Sequence, residues 1–234
     1  MPGEKGIIIG LTGSFGSGCS TLMEALKTQG FEGYSLSDII WDIWRDENPG
    51  KKDEEALREQ LQDIGNKLRK DEENGVLAIR LLESIKEDGN ENKNLVIDSI
   101  RNTTEIRVFR ENYPDNFYLI GVECPRPLRW PRVNPKQYAP FGLGEEEFIK
   151  DDERDRNEEG FEHGQQVQKC VDESDITIKN DDHISDKKLQ IKKLSEKMVK
   201  HIELLSGILR PPKDPEYFMS LAYTASLKSQ CFKR

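Results

Sequence analysis

The chain has 234 residues, enough for one α/β domain with a helical appendage. Its 35 lysines and arginines against 44 aspartates and glutamates give a formal net charge of −9, which argues against a DNA binder, whose binding face is usually basic. The sequence has no apolar run of the roughly 18 residues that span a membrane, no secretory-signal pattern and no C-x-x-C cysteine pair. We therefore expect a cytoplasmic protein without a membrane partner.

Short apolar runs alternate with helical patterns over the first three quarters of the chain. Strands are predicted at residues 6–11, 33–36, 94–100, 117–122 and 175–178, and helices at residues 20–29, 37–44, 54–70, 76–87 and 104–112. Strands separated by helices are typical of βαβ crossovers. The pattern therefore predicts an α/β fold with a mostly parallel sheet flanked by helices.

The composition changes after this alternating part. From Lys187 to Arg234 there are 11 lysines and arginines against 4 aspartates and glutamates. One helix is predicted to begin at Ser185 or Asp186, and another at Asp214, where aspartate can cap the helix and proline can occupy its first position. We expect a domain over residues 1–208, followed over residues 209–234 by a linker and one helix.

A glycine-rich loop follows the first predicted strand and opens the first predicted helix. It has the spacing G-x-x-x-x-G-K-[ST] of a P-loop, with Cys19 where lysine is expected. Glycines allow successive backbone N–H groups to converge on a phosphate at a helix N-terminus, which itself favours anions. A strand-to-helix turn without a ligand is the alternative. The spacing predicts that this glycine loop binds ATP or a deoxynucleoside triphosphate through Gly13, Ser14, Phe15, Gly16, Ser17, Gly18, Cys19, Ser20 and Thr21.

The absent lysine bears on what the loop can do. In P-loop enzymes that lysine neutralises charge on the β- and γ-phosphates during transfer, and cysteine cannot do so. The sequence therefore predicts phosphate binding and leaves phosphoryl transfer in doubt. Cys19 itself is interpreted either as a small packing residue or as a reactive thiol, because a helix N-terminus lowers the pKa of cysteine.

Other charged residues fit the same site. Asp98 ends a buried strand and is placed, with Ser20, to hold Mg²⁺. Asp98 and Arg101 are the predicted catalytic residues, and Asp38, Arg69 and Arg101 are predicted to bind the substrate. The alternatives are a helix cap for Asp38 and surface ion pairs for the two arginines.

Two further pairs have open interpretations. Arg129 and Arg132 lie three residues apart and are predicted either to contact phosphates, as cations of a lid, or to form a solvated face. The acidic residues 151–156 are expected to continue that mobile region. Trp41 and Trp44 are predicted to pack in the core, with base stacking as the alternative.

Together, these features resemble a known family. The first strand, the glycine loop, Ser37-Asp38, Asp98-Ser-Ile-Arg101 and the arginine pair are similar to the nucleoside-monophosphate kinase branch of P-loop proteins, dephospho-CoA kinase included, over about residues 5–208. The run from Asp214 to Arg234, with its Phe-Met pair and a Ser-x-Cys before basic residues, resembles the opening helix of deoxycytidylate deaminases.

The combination resembles two-domain deaminases implicated in anti-phage nucleotide depletion. That resemblance implies a regulatory N-terminal domain and a C-terminal domain that carries Zn²⁺ and the catalytic glutamate. We expect this chain to be the N-terminal portion, so that Zn²⁺ belongs only to the missing part.

Three hypotheses remain open from the sequence. The chain is a nucleotide-binding regulatory module with little turnover, an active deoxynucleoside-monophosphate kinase that uses Mg²⁺, or an interaction domain whose loop is a relic. In the third case the basic residues 187–234 contact a partner or a regulatory RNA, and binding falls steeply with salt. The apolar face of the last predicted helix also suggests a homo-oligomer.

Overall fold

The computed structural model describes residues 6–156 and 163–181, together with Leu189, residues 192–194, Glu196 and Lys197. Almost all of them belong to the first of two compact units, Met1–Ser195. The predicted helix from Ser185 or Asp186 falls largely outside the described residues, and the predicted segment 209–234 falls entirely outside them.

A five-stranded sheet forms the centre of the domain. Its strands are β1 (Ile8–Thr12), β2 (Glu32–Ser35), β3 (Leu95–Asp98), β4 (Phe117–Glu123) and β5 (Ile176–Lys179), arranged in the order β2-β3-β1-β4-β5. Every neighbouring pair is parallel, and Gly10 of the central strand β1 is in register with Ile97 on one side and Leu119 on the other. The predicted α/β fold with a parallel sheet is confirmed.

Helices cover the sheet and connect its strands. They are α1 (Cys19–Lys27), α2 (Leu36–Glu47), α3 (Arg58–Asp71), α4 (Val76–Glu87), α5 (Thr103–Asn112), α6 (Arg126–Gln137), α7 (Glu145–Arg156) and α8 (Val167–Asp172), with short 3₁₀ turns at Asp53–Glu55 and Ala139–Phe141. Every residue of β1 and of β3 is buried, as expected of strands covered on both faces. Among the described residues, no helix is both long and apolar enough to cross a membrane.

The sequence did not predict α6, α7 or α8. Helix α6 contains Pro127 in its first turn and Pro131 and Pro135 in its interior. A proline in a helix interior costs about 3 kcal/mol, so the local pattern argues against a helix there. Burial of Arg129 and Val133 on one face of α6 supplies the tertiary contacts that stabilise it.

Helix α7 corrects one expectation directly. Residues 151–156 were expected to continue a mobile region, but they form the last half of α7, in which Asp152 and Asp155 are fully buried. Both carboxylates are paired with arginines, which is the condition under which charged groups are found inside proteins.

Candidate active site

The glycine loop, Gly13–Thr21, connects β1 to α1 at the carboxyl edge of the sheet. Gly16 and Gly18 have φ values of 78° and 114°, a left-handed region that glycine enters without strain. Gly18 precedes the first residue of α1, so the first free amides of that helix are presented at the loop. Asn180, just after β5, donates a hydrogen bond from Nδ2 to the carbonyl oxygen of Ser17 at 2.7 Å and so links the loop to the end of β5.

A cavity of about 990 Å³ opens above the glycine loop. All nine residues of the loop line it, together with Asp98, Arg69, Arg101 and Arg132 among the predicted site residues. Ligand pockets in proteins are typically about 300–1,000 Å³, so this cavity is at the large end of that range.

Ser20 and Asp98 meet at the centre of the site. The Ser20 hydroxyl donates to Asp98 Oδ2 at 2.8 Å, and the backbone N–H of Ser99 donates to Asp98 Oδ1 at 2.6 Å. Ser99 has a φ of 67°, the one positive φ among the described non-glycine residues, which marks a constrained turn after β3. Burial raises the pKa of Asp98, opposed by those two hydrogen bonds and by the charge of Arg101.

The Cys19 side chain lies at the position of the expected lysine. Its Sγ is 3.5 Å from Ser17 Oγ. Burial and the neighbouring Asp98 carboxylate raise the pKa of the thiol to about 12. Cys19 is therefore an uncharged thiol at neutral pH, which favours the packing interpretation over the reactive one.

Arg69 is buried rather than on the surface. It is 1% exposed, and its Nε and Nη2 donate to Glu105 Oε1 at 3.2 and 2.8 Å. Its Nη1 and the Oε1 of Gln62, which is 2% exposed, have no hydrogen-bond partner among the described residues. Gly65 lies between them on α3, and a Cβ there would be 3.4 Å from Arg69 Nη1. The buried face of α3 therefore carries an unused donor and an unused acceptor beside the cavity.

Arg101 lines the cavity but is already paired. Its Nη1 donates to Asp155 Oδ2 at 2.9 Å and to Gln165 Oε1 at 3.2 Å. Arg58 pairs with the same carboxylate oxygen, and its guanidinium lies 3.7 Å from the centre of the Phe15 ring. The sequence did not predict Arg58 and Gln62 of α3 as site residues, because their shared partner Asp155 is more than 90 residues away along the chain.

Arg129 is not part of a solvated face. It is 1% exposed, and it donates to both carboxylate oxygens of Asp152, at 2.6 and 2.8 Å, and to the Phe15 carbonyl oxygen at 3.1 Å. Its Nε donates to the Cys124 carbonyl oxygen at 3.0 Å. With these partners, Arg129 ties α6 and α7 to the glycine loop. Its predicted contact with a cofactor stays a prediction.

Of the remaining predicted residues, some line the cavity and others do not. Arg132 lines the cavity, with Nη1 3.4 Å from the Gly16 carbonyl oxygen. Asp38 lies at an exposed position in the first turn of α2 and does not itself line the cavity, and Ser35, not Asp38, caps that helix. Trp44 is 1% exposed and packs in the core as predicted, whereas Trp41 lines the cavity.

The sheet order, the loop after the central strand and the Ser20–Asp98 pair define a P-loop domain of the kinase-like, nucleotide-binding class. The chain belongs to the AAA domain family, whose model matches residues 9–151 and so includes the glycine loop, Asp98 and Arg129.

Two proteins from archaea are similar to this chain in sequence. The UPF0200/UPF0201 protein of Archaeoglobus fulgidus is 27% identical over 188 residues, which cover 80% of this chain and 54% of that protein. The chain therefore spans about half the length of this relative. The UPF0200 protein of Methanothermobacter thermautotrophicus is 29% identical over 194 residues, covering 82% of this chain and 90% of that protein.

Solved structures with a similar outline include two kinases. Shikimate kinase from Bacteroides thetaiotaomicron has a TM-score of 0.49 at 14% identity, over 84% of this chain and 98% of that one. Dephospho-CoA kinase from Campylobacter jejuni has a TM-score of 0.42 at 16% identity, over 83% of this chain and 96% of that one.

Proposed function

We propose that this domain binds a nucleoside triphosphate with Mg²⁺ and acts as a regulatory, nucleotide-sensing module with little phosphoryl transfer. The observation that carries the proposal is the combination, in one site, of glycine-loop amides with an uncharged thiol at Cys19. Backbone amides at a helix N-terminus suffice to bind a phosphate. Without the lysine, the charge that develops during transfer has no partner within the loop.

The side chains present suit Mg²⁺. Ser20 Oγ and Asp98 Oδ2 are 2.8 Å apart and supply a hydroxyl and a carboxylate, the hard oxygen ligands that Mg²⁺ prefers. The described residues contain no cluster of three or more metal-binding side chains, so further ligands would be phosphate oxygens and water, as is usual for Mg²⁺ with nucleotides. When bound, the ion would neutralise phosphate charge.

The second candidate is an active deoxynucleoside-monophosphate kinase. The unpaired Arg69 Nη1 and Gln62 Oε1 favour it, because a buried donor and acceptor without partners cost free energy unless a ligand or water satisfies them. Glu105 neutralises Arg69, so the free N–H suits a carbonyl oxygen or the edge of a base better than a phosphate dianion. Arg101 would then contact the phosphates of the acceptor.

The link to deoxycytidylate deaminases is the most specific part of the proposal. It depends on the resemblance of residues 214–234, which lie outside the described residues, and on the replacement of the lysine. In such a protein, nucleotide binding here would control a separate zinc-dependent deaminase and thereby deplete nucleotides during phage attack. The interaction-domain hypothesis, with a regulatory RNA on residues 187–234, remains the third candidate.

Calorimetric titration of the chain with ATP, dCTP and dCMP, each with and without Mg²⁺, tests the proposal. Phosphoryl transfer from ATP to dCMP is followed in the same samples. We expect Mg²⁺-dependent triphosphate binding without transfer. Turnover at typical kinase rates of about 1–100 s⁻¹ would favour the second candidate. The absence of heat with every nucleotide, in folded protein, would contradict both.

A further inference from the structure

A bound triphosphate carries several negative charges, and the glycine loop offers none of the opposite sign. Residues 13–21 contain no lysine or arginine, and position 19, where a P-loop has lysine, is a cysteine. Lys27, in the last turn of α1, is paired with Glu24 and does not line the cavity. A positively charged side chain that adds to the amides and to Mg²⁺ at the β- and γ-phosphates would therefore come from another element.

Among the described residues, five cations line the cavity, and three of them are neutralised by buried carboxylates. Arg69 pairs with Glu105, and Arg58 and Arg101 share Asp155. The carboxylate beside each of these arginines neutralises its charge, so they can still donate hydrogen bonds to a ligand but offset little of the charge of a triphosphate. The other two are Arg132 and Lys136, both on α6; Arg132 Nη1 already contacts Cys124 Sγ at 3.1 Å and the Gly16 carbonyl oxygen at 3.4 Å.

Helix α6 rests directly on the glycine loop. A Cβ at Gly16 would be 2.7 Å from Val133 Cγ1 and 3.3 Å from Arg129 Cβ, so only glycine allows this approach. The Arg132 guanidinium already reaches the loop, with Nη1 3.4 Å from the Gly16 carbonyl oxygen. The position of α6 against the loop is therefore fixed by close contacts.

Lys136 lies four residues after Arg132 on α6, which places both on one face of the helix. Both line the cavity that the glycine loop also lines. Lys136 is exposed and forms no ion pair with any residue that the structure describes. Its flexible four-carbon stem ends in a compact charge with three donors, which suits phosphate oxygens.

We propose that Lys136, supported by Arg132, binds the β- and γ-phosphates of the triphosphate and supplies from α6 the positive charge that the glycine loop lacks at position 19. The inference rests on the proposed nucleotide binding and assigns to Lys136 part of the affinity for the triphosphate. A lysine simply exposed to solvent is the competing explanation.

Calorimetry with ATP, AMP and inorganic tripolyphosphate, all with Mg²⁺, tests the proposal on Lys136→Gln, Lys136→Arg and Lys150→Gln. Lys150 is an exposed lysine of α7 that does not line the cavity, so it controls for the loss of one charge. We expect Lys136→Gln to weaken ATP and tripolyphosphate at least about tenfold, or 1.4 kcal/mol. Lys136→Arg and Lys150→Gln should bind as the unchanged chain does, and AMP should not discriminate among the variants.

Moving the charge gives the sharper comparison. In the Cys19→Lys/Lys136→Gln double variant we expect the affinity for ATP to return to within about threefold of the unchanged chain, because the loop lysine then takes over. Cys19→Lys alone should gain less than it gains in the Lys136→Gln background. Circular dichroism shows whether each variant is folded.

Different results would overturn different statements. If the unchanged chain binds neither ATP nor tripolyphosphate, the proposed function and this inference both fail. If it binds them and Lys136→Gln behaves as Lys150→Gln does, nucleotide binding stands and Lys136 has no part in it. Additive effects of the two substitutions would also overturn the inference, because independent sites do not compensate for one another.

Discussion

The glycine loop and the α6–α7 segment, residues 126–156, meet at one site but use opposite means. The loop presents backbone amides and hydroxyls and has no charged side chain. The segment is rich in charge, but its buried members Arg129, Asp152 and Asp155 pair within the protein. The loop therefore supplies the shape of a phosphate site. The segment supplies the contacts that hold the loop in place and the two cations Arg132 and Lys136 that line the cavity.

The largest expected effect comes from separating the two regions. Arg129→Ala leaves the buried Asp152 carboxylate without its main partner and removes the bond to the Phe15 carbonyl oxygen. Breaking a buried pair in this way typically costs about 3–5 kcal/mol. We expect a loss of that size in the free energy of unfolding, measured by urea denaturation.

Arg126 provides the matched control. It pairs with the same Asp152 carboxylate at 2.9 Å, but its side chain is 32% exposed. Arg126→Ala should cost less than about 1 kcal/mol, as partly solvated pairs do. Equal losses for the two variants would show that the buried contact to the glycine loop is not what joins the regions.

The second effect tests the close contact between the two regions. Gly16→Ala places a Cβ 2.7 Å from Val133 Cγ1 at a φ of 78°, whereas Gly142→Ala meets nothing within 4 Å at a φ of 69°. Both variants pay about 1–2 kcal/mol of left-handed strain, and overpacking adds about 1–3 kcal/mol for Gly16 alone. If unfolding curves show the same loss of unfolding free energy for both variants, α6 can shift away from the loop at little cost, and the close contact is not tight.

The third effect is confined to the loop. Ser20→Ala removes the hydroxyl that faces Asp98 and, in the proposed site, one ligand of Mg²⁺. We expect ATP affinity in the presence of Mg²⁺ to fall by about 10- to 100-fold, the range seen when support of a bound metal is lost. Titration in EDTA is the internal control, since affinity without the ion should not change; an equal loss there would assign the hydroxyl to the phosphate.

The sequence predicted the glycine loop and the sheet well because both depend on local signals. Glycine spacing specifies backbone conformation, and apolar runs such as Ile8–Thr12 specify buried strands. The observed β1, α1 and α4 agree with their predicted ranges to within about two residues, and α4 matches at both ends.

The α6–α7 segment was missed because its stability is tertiary. Three prolines oppose a helix locally in α6. Helix α7 has only two apolar residues, Phe148 and Ile149, too few for a helical apolar stripe in the sequence. The pairs that stabilise the segment join residues far apart, such as Arg58 with Asp155. Arg69 was predicted to bind the substrate, with a surface ion pair as the alternative, and its buried pair with Glu105 was missed for the same reason, since nothing near it in the sequence reveals Glu105. No local pattern distinguishes a buried arginine from an exposed one.

The last effect is on reactivity rather than on stability or affinity, and it concerns the Cys19 thiol of the glycine loop. With the pKa of Cys19 raised to about 12, almost no thiolate exists at pH 8, whereas an ordinary cysteine has a pKa near 8.5. We expect iodoacetamide to label Cys19 at pH 8 at least about 100-fold more slowly in the folded chain than in the same chain in urea, because only the thiolate reacts. The rate should rise with pH up to the folded pKa, followed by mass spectrometry of the Cys19 peptide. Labelling as fast as in urea would mean that Cys19 has an ordinary pKa, so that part of the thiol in the loop is charged at pH 8. Such a charge would repel phosphate, and the glycine loop could not be the uncharged half of the site.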